Sequence, residues 1–105
     1  MSSNLLLLLT TVPKEFDSQS LIKQLLQKKL CVCVQVIPTI KSFYNWDGNL
    51  VEDEEQQLQI KFISKNQTEL EKEIINSHPY NVPEIIAITP NYVSKSYLDW
   101  ANSDH

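Results

Sequence analysis

Two long extended segments limit the possible folds of this sequence more than any other feature. They span residues 32–46 and 50–64 and are joined by Asp47-Gly48, a pair that predicts a two-residue hairpin because a type I′ turn needs positive φ at both positions. At roughly 3.3 Å per residue each arm reaches about 50 Å, whereas typical strands have about 5–6 residues. A chain of 105 residues cannot cover such a hairpin, and an uncovered strand edge invites pairing with another chain. We therefore predict an obligate oligomer in which the hairpin adds to a neighbour's sheet.

Hydrophobic periodicity predicts the elements around the hairpin. They are a strand at 4–12, a helix at 18–30, a helix at 67–78, a strand at 84–89 and a final helix at 94–101. Asp17 is the predicted N-cap of the first helix, and Asn66 with Glu69 has capping-box spacing for the second. The order β-α-β-β-α-β plus a terminal helix is the split βαβ, or ferredoxin-like, arrangement. We therefore predict a single α+β domain over residues 1–105, a ferredoxin-like sandwich with a long central hairpin and an extra C-terminal helix.

Alternation along the hairpin predicts which side chains share a face. Pro38 interrupts the first arm and requires a bulge or an edge position, because proline cannot donate to a strand ladder. In the second arm, Leu58, Ile60 and Phe62 share one face. In the first arm, the even-numbered apolar residues are predicted to share one face; they are Val32, Val34, Val36, Ile40 and Tyr44.

An acidic run lies near the start of the second arm. Glu52 and Glu54 fall on one face, and Asp53 and Glu55 on the other. A site for a hard cation needs several converging oxygens, and two carboxylates per face are few. We favour a solvated hairpin that discourages aggregation.

Composition excludes several classes of function. The net charge is −4 and all nine basic residues are lysines, so the basic footprint of a nucleic-acid binder and any arginine clamp are absent. Gly48 is the only glycine, whereas the dinucleotide fingerprint needs three and the Walker A loop two. We therefore predict no nucleic-acid partner, no organic cofactor and no enzymatic activity.

The cysteines and the leucine run bear on the compartment. Cys31 and Cys33 are one residue apart and cannot readily pair with each other, so we expect free thiols in a reducing compartment, the cytoplasm. The run Leu5–Leu9 lacks the flanks of a signal peptide and is far too short to span a bilayer. We predict no membrane insertion.

Several motifs together resemble the CutA family of divalent-cation tolerance proteins, over about residues 4 to 101. They are Thr10-Thr11-Val12-Pro13, Trp46-Asp47-Gly48-Asn49-Leu50-Val51 followed by Glu52-Asp53-Glu54, Lys61, His78-Pro79-Tyr80-Asn81-Val82-Pro83-Glu84-Ile85 and Tyr97-Leu98-Asp99-Trp100. The resemblance implies a homotrimer of ferredoxin-like subunits, similar in architecture to the PII signalling proteins. It also implies a role in tolerance of divalent cations, with copper binding often ascribed to the family. The chain departs from the family where Gln35 follows Cys33-Val34, since the family commonly has Cys-x-Asn-Ile there.

Three residues are candidate metal ligands. Cys33 matches the family cysteine, and a thiolate suits Cu(I) or Zn; the alternative is a small buried hydrophobic residue. His78 is either a ligand or a helix C-terminal histidine that bonds a carbonyl group. Glu84 is either a ligand or a carboxylate paired with a lysine, such as Lys61. We predict no role for His105.

A second set of residues, Trp46, Lys61 and Tyr80, is predicted to line a pocket between subunits. Two functions follow. The protein is a trimer that binds copper or another divalent metal, or it is a PII-like signalling or scaffold trimer that holds a small anionic ligand in clefts between subunits. A lysine in the pocket would favour the anion. The two differ in whether these residues, with His78 and Glu84, surround a cavity or a metal-sized point.

Overall fold

The structure is a computed structural model that describes residues 4–104, and it combines one four-stranded sheet with three α-helices in that range. The strands are β1 (Leu5–Pro13), β2 (Cys33–Trp46), β3 (Asn49–Ile63) and β4 (Ile86–Ile88). The helices are α1 (Ser18–Gln27), α2 (Gln67–Ser77), which follows a 3₁₀ turn at Ser64–Asn66, and α3 (Lys95–Asn102). No helix within residues 4–104 is long and apolar enough to cross a membrane. His105 lies outside the described residues, so its lack of a role stays a prediction.

The sheet has the strand order β2-β3-β1-β4, and every neighbouring pair is antiparallel. β1 lies at its centre, where Leu8 pairs with Ile60 of β3 on one side and with Ala87 of β4 on the other. The helix α1 connects β1 to β2, and β3 fills the space between those two strands, which is the split βαβ arrangement. The predicted ferredoxin-like α+β fold is confirmed.

The main core lies between one face of the sheet and the helices α1 and α2. Leu21 and Leu25 of α1, and Leu70 and Ile74 of α2, are four residues apart and therefore face the sheet together. The core cluster comprises Leu8, Leu21, Leu25, Cys31, Leu58, Ile60, Phe62, Leu70 and Ile74. Full burial of such a side chain stabilises the fold by about 1.5–3 kcal/mol.

The opposite face of the sheet is only partly covered. At one end α3 packs on it, and Leu5, Ile63 and Ala101 form a second, smaller core there. Away from α3 the face stays open, since Ile86 and Ile88 of β4 are 48% and 41% exposed. A single chain therefore leaves apolar sheet surface in contact with solvent.

Helix ends agree with the sequence in one case and not in another. Asp17 caps α1 as predicted, because its Oδ1 accepts a hydrogen bond from the backbone N–H of Ser20 at 3.2 Å. The predicted capping box of α2 is wrong: Asn66 lies in the 3₁₀ turn, and its side chain donates to the carbonyl of Lys29 instead, at 3.5 Å. α1 also ends earlier than predicted, since Lys29 adopts a left-handed φ of 57°.

The central hairpin is as long as predicted. β2 and β3 have 14 and 15 residues, and both turn residues have positive φ, 52° at Asp47 and 80° at Gly48. The molecule is accordingly elongated, with a largest dimension of 46 Å. The outer half of the hairpin carries large exposed apolar side chains, namely Phe43, Trp46 and Leu50, which are 60%, 71% and 74% exposed.

A bulge at Pro38 divides β2 and changes its alternation. Ile37 pairs with Gln57 and Ile40 pairs with Glu55, so β2 uses three steps where β3 uses two. Pro38 thus has both features that its sequence position suggested, a bulge and an edge strand. The extra residue moves Ile40 and Tyr44 to the face opposite Val34 and Val36, so the prediction of one shared face along the first arm is wrong.

Candidate functional site

A cavity of about 830 Å³ lies between the outer hairpin and the loop that connects α2 to β4. Its charged side chains are all carboxylates, those of Asp53, Glu55 and Glu84. The other lining residues are Thr11, Ser42, Phe43, Tyr44, Trp46, Val51, Pro79, Tyr80, Asn81 and Val82. The cavity therefore combines negative charge with aromatic and aliphatic walls.

Strand alternation places two of these carboxylates. Asp53 and Glu55 are two residues apart on β3 and share the face that Tyr44 joins beyond the bulge. The hydroxyl of Tyr44 donates to Asp53, and this bond raises the pKa of Tyr44. Glu52 and Glu54 lie on the other face of the hairpin, as the alternation predicted.

Those two outward carboxylates have lysine partners. Glu54 Oε2 lies 3.2 Å from Lys14 Nζ, and Glu52 Oε2 lies 3.8 Å from Lys41 Nζ. Both pairs are about half exposed, so each contributes little to stability. The hairpin thus has one neutralised face and one face that keeps its negative charge.

Glu55 is the buried carboxylate of the cavity, with an exposed fraction of 6%. Its Oε2 accepts a hydrogen bond of 2.6 Å from the hydroxyl of Tyr80. Burial, together with this bond, raises the pKa of Tyr80. Among residues 4–104, Oε1 of Glu55 accepts no hydrogen bond and no lysine pairs with this carboxylate. Glu55 therefore holds a negative charge near the protein interior without a counter-ion from the described chain.

His78 anchors the loop that carries Tyr80. Its Nδ1 accepts the backbone N–H of Tyr80 at 3.1 Å, and its Nε2 lies 2.9 Å from the carbonyl oxygen of Thr11 and 3.2 Å from the hydroxyl of Thr10. Because an amide N–H can only donate and a carbonyl can only accept, the ring is neutral with its proton on Nε2. Burial lowers the pKa of His78, which agrees with the neutral form.

These contacts take the loop around the edge of the sheet. β4 pairs only with Leu7, Leu8 and Leu9, so the edge of β1 is free at Thr11, where His78 binds. Tyr80 then reaches Glu55 on the cavity face. Both nitrogens of His78 are engaged, so this residue can act as a metal ligand only after one of these contacts breaks. The expected contact with a carbonyl group is present, but the carbonyl belongs to β1 and not to the helix.

Four of the six predicted site residues come together. Trp46, Tyr80 and Glu84 line the cavity, and His78 lies directly behind Tyr80, with ring centroids 5.1 Å apart. Glu84 is exposed and makes no ion pair with any lysine among residues 4–104. Within the described chain, Glu84 does not form the suggested pair with Lys61.

Lys61 and Cys33 lie elsewhere in the sheet. They pair with each other across β2 and β3, and Lys61 Nζ contacts the hydroxyl of Tyr97 at 3.3 Å and lies 5.3 Å from the centre of its ring. Lys61 is four positions along β3 from Gln57, the partner of Thr11, which corresponds to about 13 Å. Within one chain, Lys61 and Cys33 therefore lie away from the cavity.

Both cysteines are free thiols. Cys31 belongs to the main core, where burial raises its pKa to about 12 and keeps it protonated. Cys33 is half-buried on the open face of the sheet and is the more accessible of the two. Among residues 4–104, no three His, Cys, Asp or Glu side chains form a group that could hold a metal ion.

The sequence did not predict Asp53 and Glu55 as members of one cavity. The signal was present in part, because alternation put Asp53 and Glu55 on a common face. The bulge that brings Tyr44 to that face, and the loop that brings Tyr80 onto Glu55, depend on contacts between distant segments.

The fold and the cavity define a ferredoxin-like chain with a long hairpin and a negatively charged pocket at its side. A family model described as "CutA1 divalent ion tolerance protein" matches residues 6–104. The chain belongs to this family.

Individual relatives agree with that assignment. The divalent-cation tolerance protein CutA of Thermus thermophilus is 37% identical over 92 residues, covering 88% of this chain and 89% of the relative. Among solved structures, CutA1 from Ehrlichia chaffeensis has a TM-score of 0.88 at 29% identity, covering 95% of this chain and 94% of that one. The periplasmic divalent cation tolerance protein CutA from Archaeoglobus fulgidus has a TM-score of 0.86 at 32% identity, covering 93% and 95%.

Proposed function

We propose that this protein contributes to tolerance of divalent cations by binding a metal ion, copper being the first candidate, as a homotrimer that catalyses no reaction. The observation that carries the proposal is the negative charge of the cavity lining: its three charged side chains are all carboxylates. Carboxylate oxygens make the electrostatic potential of a cleft more negative and so raise the local concentration of cations. The family to which the chain belongs is named for tolerance of the same class of ion.

The metal ion itself would need ligands from more than one copy of the chain. The described part of a single subunit brings no three suitable side chains together, and Cys33 lies away from Glu84 and His78. A second copy docked on the exposed hairpin supplies a way to complete the site. In that assembly Cys33 would provide a soft ligand and Glu84 a hard one, and His78 would join after releasing Tyr80 or Thr11.

The alternative function, a PII-like trimer that holds a small anion, has less support. It depends on a lysine in the pocket, and within one chain Lys61 contacts Tyr97 outside the cavity. A second copy that brings Cys33 to the cavity would bring Lys61 as well, because the two residues pair across β2 and β3. An anion placed beside Asp53, Glu55 and Glu84 would meet repulsion from all three.

We also propose a cytoplasmic location. The support is the pair of free thiols, which suits a reducing compartment. Because a structural relative from Archaeoglobus fulgidus is described as periplasmic, fractionation of cells that express the native gene is the direct test. Recovery of the protein outside the cytoplasm would contradict this part of the proposal.

The functional proposal is tested by titrating metal-stripped protein with Cu²⁺, Zn²⁺ and Mg²⁺ in an isothermal titration calorimeter. We expect micromolar or tighter binding of copper, weakened about tenfold by Cys33→Ser and by Glu84→Gln, since each removes a charged or soft ligand. Glu52→Gln is the matched control, because it makes the same change on the other face of the hairpin. Absence of saturable binding for all three ions, or equal losses in Glu52→Gln and Glu84→Gln, would contradict metal binding at this site.

A further inference from the structure

We propose that Gln56 is a positioning residue for assembly: it holds the turn between β1 and α1 against β3, and thereby fixes the direction in which the outer hairpin leaves the sheet. The outer hairpin is the part of β2 and β3 beyond the end of β1, residues 41–54. This inference deepens the proposed function and rests on it, because the direction of the hairpin decides whether it can dock on a second copy of the chain.

The outer hairpin depends on support at its base. β1 ends at the pair of Pro13 with Glu55, whereas β2 and β3 stay paired as far as Trp46 and Asn49. Among residues 4–104, no third strand lies beside this part of the hairpin. Two-stranded ribbons are marginally stable and twist more than wider sheets. The direction of about 20 Å of ribbon is therefore set by contacts at the point where it leaves the sheet.

Gln56 lies at that point, on the face of β3 that α1 and α2 cover. It pairs with Val12, one residue before the end of β1, and its side chain shares a face with Leu58 and Ile60 of the main core. Its exposed fraction is 8%. Because the chain's own helices cover this face, a second copy docked on the open face or on a strand edge would not displace the contacts of Gln56.

The side-chain amide of Gln56 binds the whole length of the turn. Its Nε2 donates to three backbone carbonyl oxygens, those of Pro13, Lys14 and Phe16, at 3.2, 3.0 and 2.8 Å. Its Oε1 accepts the hydroxyl of Ser18, the first residue of α1, at 2.7 Å. Carbonyl oxygens can only accept, so the amide nitrogen must face the turn. One side chain thus ties β3 to the end of β1, to the turn and to the start of α1.

These bonds need a donor at position 56. A side chain without N–H groups would leave part-buried carbonyl groups of the turn without their partner. The turn also contacts β3 through the pair of Lys14 with Glu54, but both side chains are about half exposed, so that pair adds little. A fully satisfied buried polar network holds one geometry. We therefore expect loss of the Gln56 donors to loosen the base of the hairpin before it affects the main core.

The test measures assembly of the full-length protein by light scattering over a dilution series at pH 8, with circular dichroism to confirm that the subunits are folded. Gln56→Met keeps a side chain of similar length and removes both donors. We expect it to raise the protein concentration at which half of the subunits are assembled by about tenfold or more. Gln27→Met is the matched control, because Gln27 is exposed on α1; it should leave that concentration within about twofold.

A carboxyl group at position 56 gives a readout that is specific to hydrogen-bond donation. In Gln56→Glu, burial beside three carbonyl oxygens should raise the pKa of the new carboxyl group above its ordinary value of about 4.3. The folded variant then binds a proton more readily than the unfolded chain, so its stability is greatest below the unfolded pKa and is lost as the pH rises through the folded pKa. We expect its assembly deficit relative to the unaltered protein to shrink about threefold or more from pH 8 to pH 5.5. Gln27→Glu should show no such change.

The outcomes separate this inference from the proposed function. If Gln56→Met fails to fold, Ser18→Ala is the milder variant, which removes the donor to Oε1 and should raise the half-assembly concentration about threefold. Half-assembly concentrations equal to those of the Gln27 variants, or a deficit of Gln56→Glu that does not change with pH, would overturn the role of Gln56 alone. An unaltered protein that is monomeric at every concentration would overturn the proposed homotrimer and, with it, this role in docking.

Discussion

Tyr80 and His78 form one continuous set of hydrogen bonds from the edge of β1 to the cavity. His78 holds the backbone of Tyr80, and the Tyr80 hydroxyl holds the buried carboxylate of Glu55. The side chain that positions the cavity carboxylate is thus itself positioned by a neutral imidazole. Changes at either residue should be measurable in the stability of the fold.

Replacing Tyr80 by phenylalanine should destabilise the protein by about 1.5–3 kcal/mol, because a buried carboxylate loses its only hydrogen bond from the described chain. The measurement is urea unfolding at fixed protein concentration and neutral pH. Tyr92→Phe is the matched control, since Tyr92 is 80% exposed and should lose almost nothing. Equal stability of the two variants would show that Tyr80 does not hold Glu55 in solution.

His78 should make stability fall as the solution becomes acidic. Its pKa in the folded protein lies below the ordinary value of 6.5, because burial disfavours the imidazolium and protonation would remove the acceptor of the Tyr80 N–H. Above pH 6.5 both states are neutral. As the pH falls through 6.5, the unfolded chain binds a proton first, so the free energy of unfolding decreases until the folded pKa is passed.

The measurement for His78 is the free energy of unfolding between pH 8 and pH 5. His78→Gln should flatten the part of the curve that begins near pH 6.5. His105 is present in both proteins, so its own titration cancels in the difference. Parallel curves for the two proteins would contradict a buried neutral His78.

At the scale of single residues, the sequence predicted Trp46, His78, Tyr80 and Glu84 as neighbours through the family resemblance. It did not predict Glu55, because a carboxylate in an acidic run is ordinarily solvated. Its burial depends on Tyr80, which is 25 residues away along the chain. No local pattern reports such a contact.

Among the elements, α1 has a strained end that can be tested. Lys29 adopts a φ of 57° just after the helix, a conformation that costs a residue with a Cβ about 1 kcal/mol and a glycine almost nothing. Lys29→Gly should therefore raise the free energy of unfolding by up to about 1 kcal/mol, while Lys29→Ala, which keeps the strain, should not. Thermal and urea unfolding of both variants measure the difference, and a glycine variant no more stable than the alanine variant would contradict the strain.

The bulge in β2 shows where periodicity fails for an element. Residues before Pro38 follow the predicted alternation, and residues from Ile40 onward follow the opposite one. The sequence indicated that Pro38 needs special geometry but not whether a residue would be inserted. Whether a residue is inserted depends on the pairing register of β2 and β3, which is set by contacts between the two strands. The hairpin turn at Asp47-Gly48 was predictable because it depends on local backbone conformation alone.

For the whole molecule, the fold followed from element order and the family resemblance, because a split βαβ sequence has few compact arrangements. The oligomeric state is still a prediction. We expect light scattering after size-exclusion chromatography, at low micromolar protein with a chelator, to give a mass near three times 12.2 kDa. A combined Phe43→Ser and Leu50→Ser variant should shift the mass downward, because both side chains are more than half exposed in one chain.

The control for assembly is Leu26→Ser, which removes one exposed apolar side chain from α1, outside the hairpin. Its mass should equal that of the unaltered protein. A monomer at every concentration would remove the support that hairpin length gives to assembly. It would leave the family assignment intact, since that rests on the comparisons.

The uncovered outer hairpin also has a consequence for gene dosage. If three chains must meet before the hairpin is covered, mass action makes the amount of assembled protein scale with the cube of the free subunit at low abundance. Halving the supply of subunits would then cut assembled protein by roughly eightfold. The cell would be sensitive to the rate of synthesis of this short chain, and any site completed between copies would switch on over a narrow range of expression.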